Sequence, residues 1–140
     1  MKIAIINGPN LNLQGHRQPE IYGTRTFADL LADLQYDFPG MDFELYQSNH
    51  EGDIIDALQR FSADPSCRGI IINPGALAHC SLAVADAIRD TAHDCVEVHI
   101  SNIHAREEYR SRSVTAAACR AVIAGAGLDG YRLAARLLLS

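Results

Sequence analysis

The sequence predicts an α/β fold built on a parallel sheet, and three observations carry that prediction. Five short apolar runs, Lys2–Asn7, Asp42–Gln47, Gly69–Asn73, Cys95–His99 and Arg120–Ala124, alternate with amphipathic segments. The amphipathic segments repeat their apolar residues at helical spacing, the pattern of helices covering both faces of a parallel sheet. No internal repeat, low-complexity tract or linker divides the chain, so residues 1–140 are expected to form a single catalytic domain.

The elements follow in order. After the first strand, Phe27, Leu30, Leu31, Leu34 and Phe38 recur at helical spacing until Pro39-Gly40 stops them. Ile54, Ile55, Leu58 and Phe61 form the next stripe; Leu82, Ala85 and Ile88 form another. Leu128, Tyr131, Ala135 and Leu138 make the last helix. Right-handed crossovers leave few topologies for five such units. The flavodoxin-like strand order 2-1-3-4-5 is expected, which places the ligand crevice at the carboxyl ends of strands 1 and 3.

The unusual residues gather at those ends. Asn7-Gly-Pro-Asn10 follows strand 1, and Leu11 to Arg25 then show no period. A loop that long in a compact domain is usually functional, often a lid, with Gly15 and Gly23 as candidate hinges. After strand 3 comes Asn73-Pro-Gly75, suited to the centre of a type II turn, and then His79. Strand 4 ends Glu97-Val98-His99, and alternation puts Glu97 and His99 on one face.

Composition narrows the function. Hydrophobic residues make up 48% and charged residues 21% of the 140, ordinary for a globular chain large enough to bury roughly 68% of its unfolded surface. A net charge of -5 argues against a nucleic-acid partner, which needs a clustered basic face. Arg106, Arg110 and Arg112 do cluster, but Glu107 and Glu108 interrupt them, which suits a pocket for a small anion. No apolar run approaches the ~20 residues of a membrane span. Met1 runs straight into a strand without a leader pattern, so a cytoplasmic protein is expected. Cys67, Cys80, Cys95 and Cys119 lack paired or metal-ligand spacing and are expected to be reduced core thiols. Lys2 is the sole lysine, which argues against Schiff-base chemistry.

These residues point to proton transfer without metal or cofactor. A histidine oriented by an acid is the standard acid–base arrangement, and Glu97 precedes His99 by two. A zinc site from His79, His99 and His104 would need a convergence that their spacing does not supply. Tyr22, on the lid, becomes a usable base if cations lie within about 4–6 Å, and Arg17 and Arg110 are candidate sources. Arg106 and Arg110, if helical, would share a face to recognise an anionic or polyhydroxylated substrate. Gly125-Ala-Gly127-Leu-Asp-Gly130 matches a dinucleotide fingerprint, but only ten residues follow Gly130, too few for the acid-bearing strand. These glycines are instead expected to allow close strand–helix approach.

Read together, the segments resemble the type II 3-dehydroquinate dehydratases. The matching stretches are INGPNLNLQGHRQPEIYG from Ile6 to Gly23, SNHEGDIID from Ser48 to Asp56, INPGALAH from Ile72 to His79 and EVHISNIHAREEYRSRS from Glu97 to Ser113, with GAGLDGYRLA near the C-terminus. The resemblance implies anti-elimination of water from 3-dehydroquinate to 3-dehydroshikimate through an enolate, with no cofactor, in the shikimate pathway or in quinate catabolism. It implies that Tyr22 removes the proton beside the ketone while Arg17 lowers its pKa. Asn10 would hold a water at the enolate, and His99, oriented by Glu97, would protonate the departing hydroxyl. Ile100 and Ser101 would bind the carboxylate through backbone N–H groups, and Asn73, His79 and Arg110 would hold ring hydroxyls. Asp86 would reach a neighbouring subunit's site in a homododecamer of trimers. Gln18 departs from the family's usual Glu, and Ala78 and Cys80 depart beside His79. The alternative from another class is a non-catalytic flavodoxin-like module binding a small carboxylate, with no use for Tyr22 and His99 together.

Overall fold

A computed structural model describes residues 1–140. Five strands, β1 (Lys2–Asn7), β2 (Asp42–Gln47), β3 (Cys67–Asn73), β4 (Cys95–His99) and β5 (Ala121–Ala124), form one parallel sheet in the order β2-β1-β3-β4-β5. The expected topology is therefore the observed one. β3 starts two residues earlier than its apolar run because the Cys67 and Gly69 backbones already pair with β1.

Alternation along the strands splits the core between two faces. Ile3, Ile5, Ile71, Val96 and Val98 pack under α2 (Phe27–Asp37) and α5 (Asp129–Leu138). Ala4, Ile6, Ile70 and Ile72 pack under α3 (Glu51–Ser62) and α4 (Leu82–Arg89). The strands are buried on both sides because helices cover both. Leu82 departs from its expected stripe: at the first position of α4 it is 69% exposed, and Val84, Ala85, Ala87 and Ile88 supply the buried face.

Two further expectations are corrected. The lid is not without regular structure: Leu11–Leu13 form a 3-10 turn and Pro19–Tyr22 one helical turn, α1. Proline at its first position loses no hydrogen bond there, which favours a turn too short to show a period. Pro74 adopts helical angles (φ -70, ψ -9) and Gly75 a φ of +61, so the pair opens a 3-10 helix, Gly75–His79, rather than a type II turn.

The two proline loops meet at the switch point between β1 and β3. A Cβ on Gly8 would lie 2.4 Å from the Pro74 carbonyl oxygen, so only glycine lets the backbones approach this closely. Of the three glycines after β5, only Gly130 makes the expected close strand–helix approach, where a Cβ would press on Val98 Cγ1 at 3.1 Å; Gly127 faces open space and Gly125 meets Asn102 in a loop. All four cysteines are free; Cys67 and Cys95 are core thiols and Cys119 is half-buried. Cys80 departs from expectation and is exposed, because it ends the 3-10 turn after Pro74 on the outer surface. No helix is long and apolar enough to cross a membrane.

Candidate active site

β4 places Glu97 and His99 on one side of the sheet, and their side chains meet: His99 Nε2 lies 2.8 Å from Glu97 Oε2. Both are buried. A carboxylate only accepts, so Nε2 carries the proton and Nδ1 is the nitrogen free for chemistry. Glu97 is itself held by two hydroxyls, Ser113 Oγ at 2.8 Å and the buried Thr115 hydroxyl at the other oxygen. Burial pushes the Glu97 carboxyl up, but donation from His99, Thr115 and Ser113 outweighs it and holds the group below the ordinary glutamate value. Glu97 is thus an ionised, fixed partner for His99.

Opposite stands the lid. Arg106 Nη1 donates to Tyr22 Oη at 2.9 Å and to Ser101 Oγ at 3.3 Å. The Arg17 guanidinium sits 5.0 Å from the Tyr22 ring centroid. Arg17 is therefore beside Tyr22 as expected, whereas the second cation is Arg106 and not Arg110. Arg110 Nε donates instead to Glu107 Oε2 at 2.7 Å, and its guanidinium stacks on Tyr109. The expected helix joining Arg106 to Arg110 is absent. Two 3-10 turns, Ile103–Ala105 and Glu108–Arg110, are separated by an extended Arg106 (φ -112, ψ -156), which breaks the i, i+4 relation and releases Arg106 toward the lid.

Tyr22, His99, Arg17, Asn10, Asn73, His79, Ile100, Ser101 and Arg110 line one cavity of about 90 Å³, together with Arg106. Asn10 holds a left-handed backbone (φ 70), and its N–H donates to Asn49 Oδ1 at 2.9 Å. His79 Nδ1 donates to the Arg112 carbonyl at 2.8 Å, leaving Nε2 for the cavity, and its ring stacks near that of His99 with centroids 6.1 Å apart. The N–H groups of Ile100 and Ser101 donate to no carbonyl in the chain, which suits an anion. Two predicted residues do not line the cavity: Glu97 lies behind His99, and Asp86 is exposed on α4, bonded only by Arg89 at 3.4 Å. A wider hollow of about 520 Å³ shares the Tyr22, Ser101 and Arg106 wall but holds neither histidine. Only the smaller cavity is lined by both a candidate base, Tyr22, and a candidate acid, His99.

The groups that support these side chains are not apparent from the sequence. Ser113 and Thr115 lie sixteen and eighteen residues beyond Glu97. Gln14, buried in the lid, donates Nε2 to the carbonyls of Tyr22 at 2.6 Å and Arg25 at 3.1 Å. Nothing in the sequence distinguishes Gln14 from Gln18 in the same loop; only its burial does. Lys2 sits at the opposite end of the sheet, between Glu44 and Asp64, and no cluster of three His, Cys, Asp or Glu is placed to hold a metal.

The chain matches the family model of Dehydroquinase class II over residues 1–139. It belongs to the class II dehydroquinase family. A 3-dehydroquinate dehydratase of Bacillus pumilus is 48% identical over 139 residues, covering 97% of this chain and 92% of that one. One of Clostridium beijerinckii is 49% identical over 140 residues, covering 99% and 95%. The crystal structure of a type II dehydroquinase from Butyrivibrio crossotus superposes with a TM-score of 0.93 at 45% identity, over 100% of this chain and 98% of the other. The class II dehydroquinase fold thus extends along the whole chain.

Proposed function

We propose that this chain is a type II 3-dehydroquinate dehydratase, a hydro-lyase that removes water from 3-dehydroquinate to give 3-dehydroshikimate. The observation that carries the reading is the meeting, in one cavity, of a guanidinium-bound phenol and a carboxylate-bound imidazole.

Tyr22 takes the proton from the carbon beside the ketone. Arg17 on its face and Arg106 at its oxygen supply positive charge where the base must carry negative charge. The electron pair moves into an enolate, whose oxygen Asn10 supports through an oriented water. As the enolate collapses to the ketone and the conjugated C=C bond forms, the C–O bond breaks and the departing hydroxide takes the Nδ1 proton of the imidazolium form of His99, which is left as a neutral imidazole. Glu97 offsets the charge of the imidazolium form and fixes its orientation. The N–H groups of Ile100 and Ser101 hold the substrate carboxylate, while Asn73, His79 and Arg110 hold ring hydroxyls. No step calls on a cofactor.

Residues 1–140 act as one catalytic domain with residues 11–25 as its lid. The chain works in the cytoplasm within aromatic biosynthesis, quinate catabolism being the other route that uses this reaction. Asp86, turned away from its own cavity, serves a neighbouring subunit in a homo-oligomer, a dodecamer of trimers. Adding 3-dehydroquinate to the purified chain tests the reading: the ultraviolet absorbance of 3-dehydroshikimate should rise. A folded chain that gives no such absorbance refutes it.

A further inference from the structure

A directed chain of hydrogen bonds leads from α5 to the cavity wall. The Gly75 N–H donates to Asn73 Oδ1 at 3.1 Å, Asn73 Nδ2 donates to Tyr131 Oη at 2.9 Å, and Tyr131 Oη donates to Asn7 Oδ1 at 2.8 Å. Asn7 and Tyr131 are fully buried and Asn73 is 3% exposed. Of the three, only Asn73 lines the cavity.

The direction of each link is forced by the one before it. A backbone N–H can only donate, so Asn73 must turn its oxygen to Gly75 and its nitrogen to Tyr131. The phenol has a single proton, and with Asn73 donating to it, that proton goes to Asn7. Burial pushes the Tyr131 phenol well above its ordinary pKa, which keeps the proton in place. A flipped Asn73 amide would set two donors against each other at Gly75. The second hydrogen on Asn73 Nδ2 is then the donor the side chain has left to offer.

We infer that Tyr131 is a positioning residue for the dehydration: through the Asn7–Tyr131–Asn73 chain it holds the Asn73 amide so that an N–H faces an acceptor oxygen on the substrate ring. This rests on the proposed function. Tyr131 never touches substrate; its hydroxyl acts through Asn73, while its ring packs edge-on to Phe27 at 5.5 Å between centroids.

Tyr131→Phe removes the hydroxyl and keeps the ring. Steady-state kinetics should be compared for the wild-type chain, Tyr131→Phe, Asn73→Ala and the double variant, with melting temperatures recorded for each. Tyr131→Phe should raise KM about tenfold with kcat within about threefold, the pattern of lost substrate binding. The double variant should match Asn73→Ala alone in kcat/KM, since residues that act through one another are not additive. A merely structural role would lower the melting temperature with KM unchanged, or make the two effects multiply, and either result overturns the inference. Should Tyr131→Phe not fold, Asn7→Leu, which strips the phenol of its acceptor and keeps its ring, must raise KM in the same Asn73-dependent way or the inference fails. A wild-type chain without turnover overturns the proposed function and this inference together. Turnover with unchanged KM in the variants overturns this inference alone.

Discussion

Tyr22 and His99 move different protons in the proposed elimination, so their variants separate. Tyr22→Phe keeps the ring between Arg17 and Arg106 but removes the base, and loss of the α-proton should slow by the ~10²–10⁴ typical of acid–base residues. His99→Ala should also abolish turnover, yet the proton can still leave to Tyr22 and return. In deuterated water, His99→Ala should therefore exchange substrate α-hydrogen without product, and Tyr22→Phe should do neither. The opposite pattern would reverse the assignment of acid and base. Glu97 offers a second check, through pH. Its folded carboxyl titrates below the ordinary value, so its stabilisation is present above the unfolded value of about 4.3 and is lost as pH falls through the lower folded value. Glu97→Gln should lower the melting temperature at pH 7, and the gap to wild type should close as pH drops below roughly 4. A gap independent of pH would mean that Glu97 is not held as a carboxylate. At this scale the sequence showed the actors but not their holders. Glu97 and His99 are two apart on one strand and legible by alternation, whereas Ser113, Thr115 and the Arg106–Tyr22 bond join residues 16 to 84 positions apart.

The lid and the β1–β3 crossing are the elements on which the site depends. The lid's return is held by Gln14, whose amide bridges the carbonyls of Tyr22 and Arg25, and by the Thr26–Asp29 capping box that starts α2. Gln14→Leu leaves both carbonyls without that donor, a cost of about 0.5–1.5 kcal/mol per bond. Because those bonds orient Tyr22 and not the core, kcat/KM should fall about tenfold or more while the melting temperature shifts little. A large loss of thermal stability with normal kcat/KM in the folded fraction would show that Gln14 is structural only. At the crossing, Gly8→Ala puts a methyl group 2.4 Å from the Pro74 oxygen, and backbone cannot yield as a flexible side chain does. Overpacking of this kind costs about 1–3 kcal/mol or more, and it would also part the loops that carry Asn10 and Asn73. Lower melting temperature together with weaker substrate binding is expected; an unaffected Gly8→Ala protein would refute the account. The strand ends and glycines were legible as unusual chemistry at expected places. The short turns were not, since Leu11–Leu13 and Pro19–Tyr22 are too brief to repeat a period.

For the whole molecule, strand order was legible because right-handed crossovers prune the topologies, while assembly depends on surfaces that one chain does not pair. Asp86 and Leu82 lie four apart on α4, both exposed, and so share one outer face. If Asp86 serves a neighbour's cavity, the wild-type chain should sediment as a multiple of its own mass, and Asp86→Ala should reduce activity although it stands outside its own site. Lost activity alone does not distinguish a shared site from general damage, but complementation does. A His99→Ala subunit has a dead site of its own yet carries an intact Asp86 to lend; an Asp86→Ala subunit has an intact His99 and lacks only what a neighbour should bring. When the two variants are unfolded, mixed and refolded together, some interfaces pair a good His99 with a good Asp86. Activity of the mixture should then exceed the summed activities of the two variants refolded separately, and should vanish again when the assembly is diluted into monomers. A mixture no more active than its parts, or a fully active wild-type monomer, would show that Asp86 belongs to no neighbour's site.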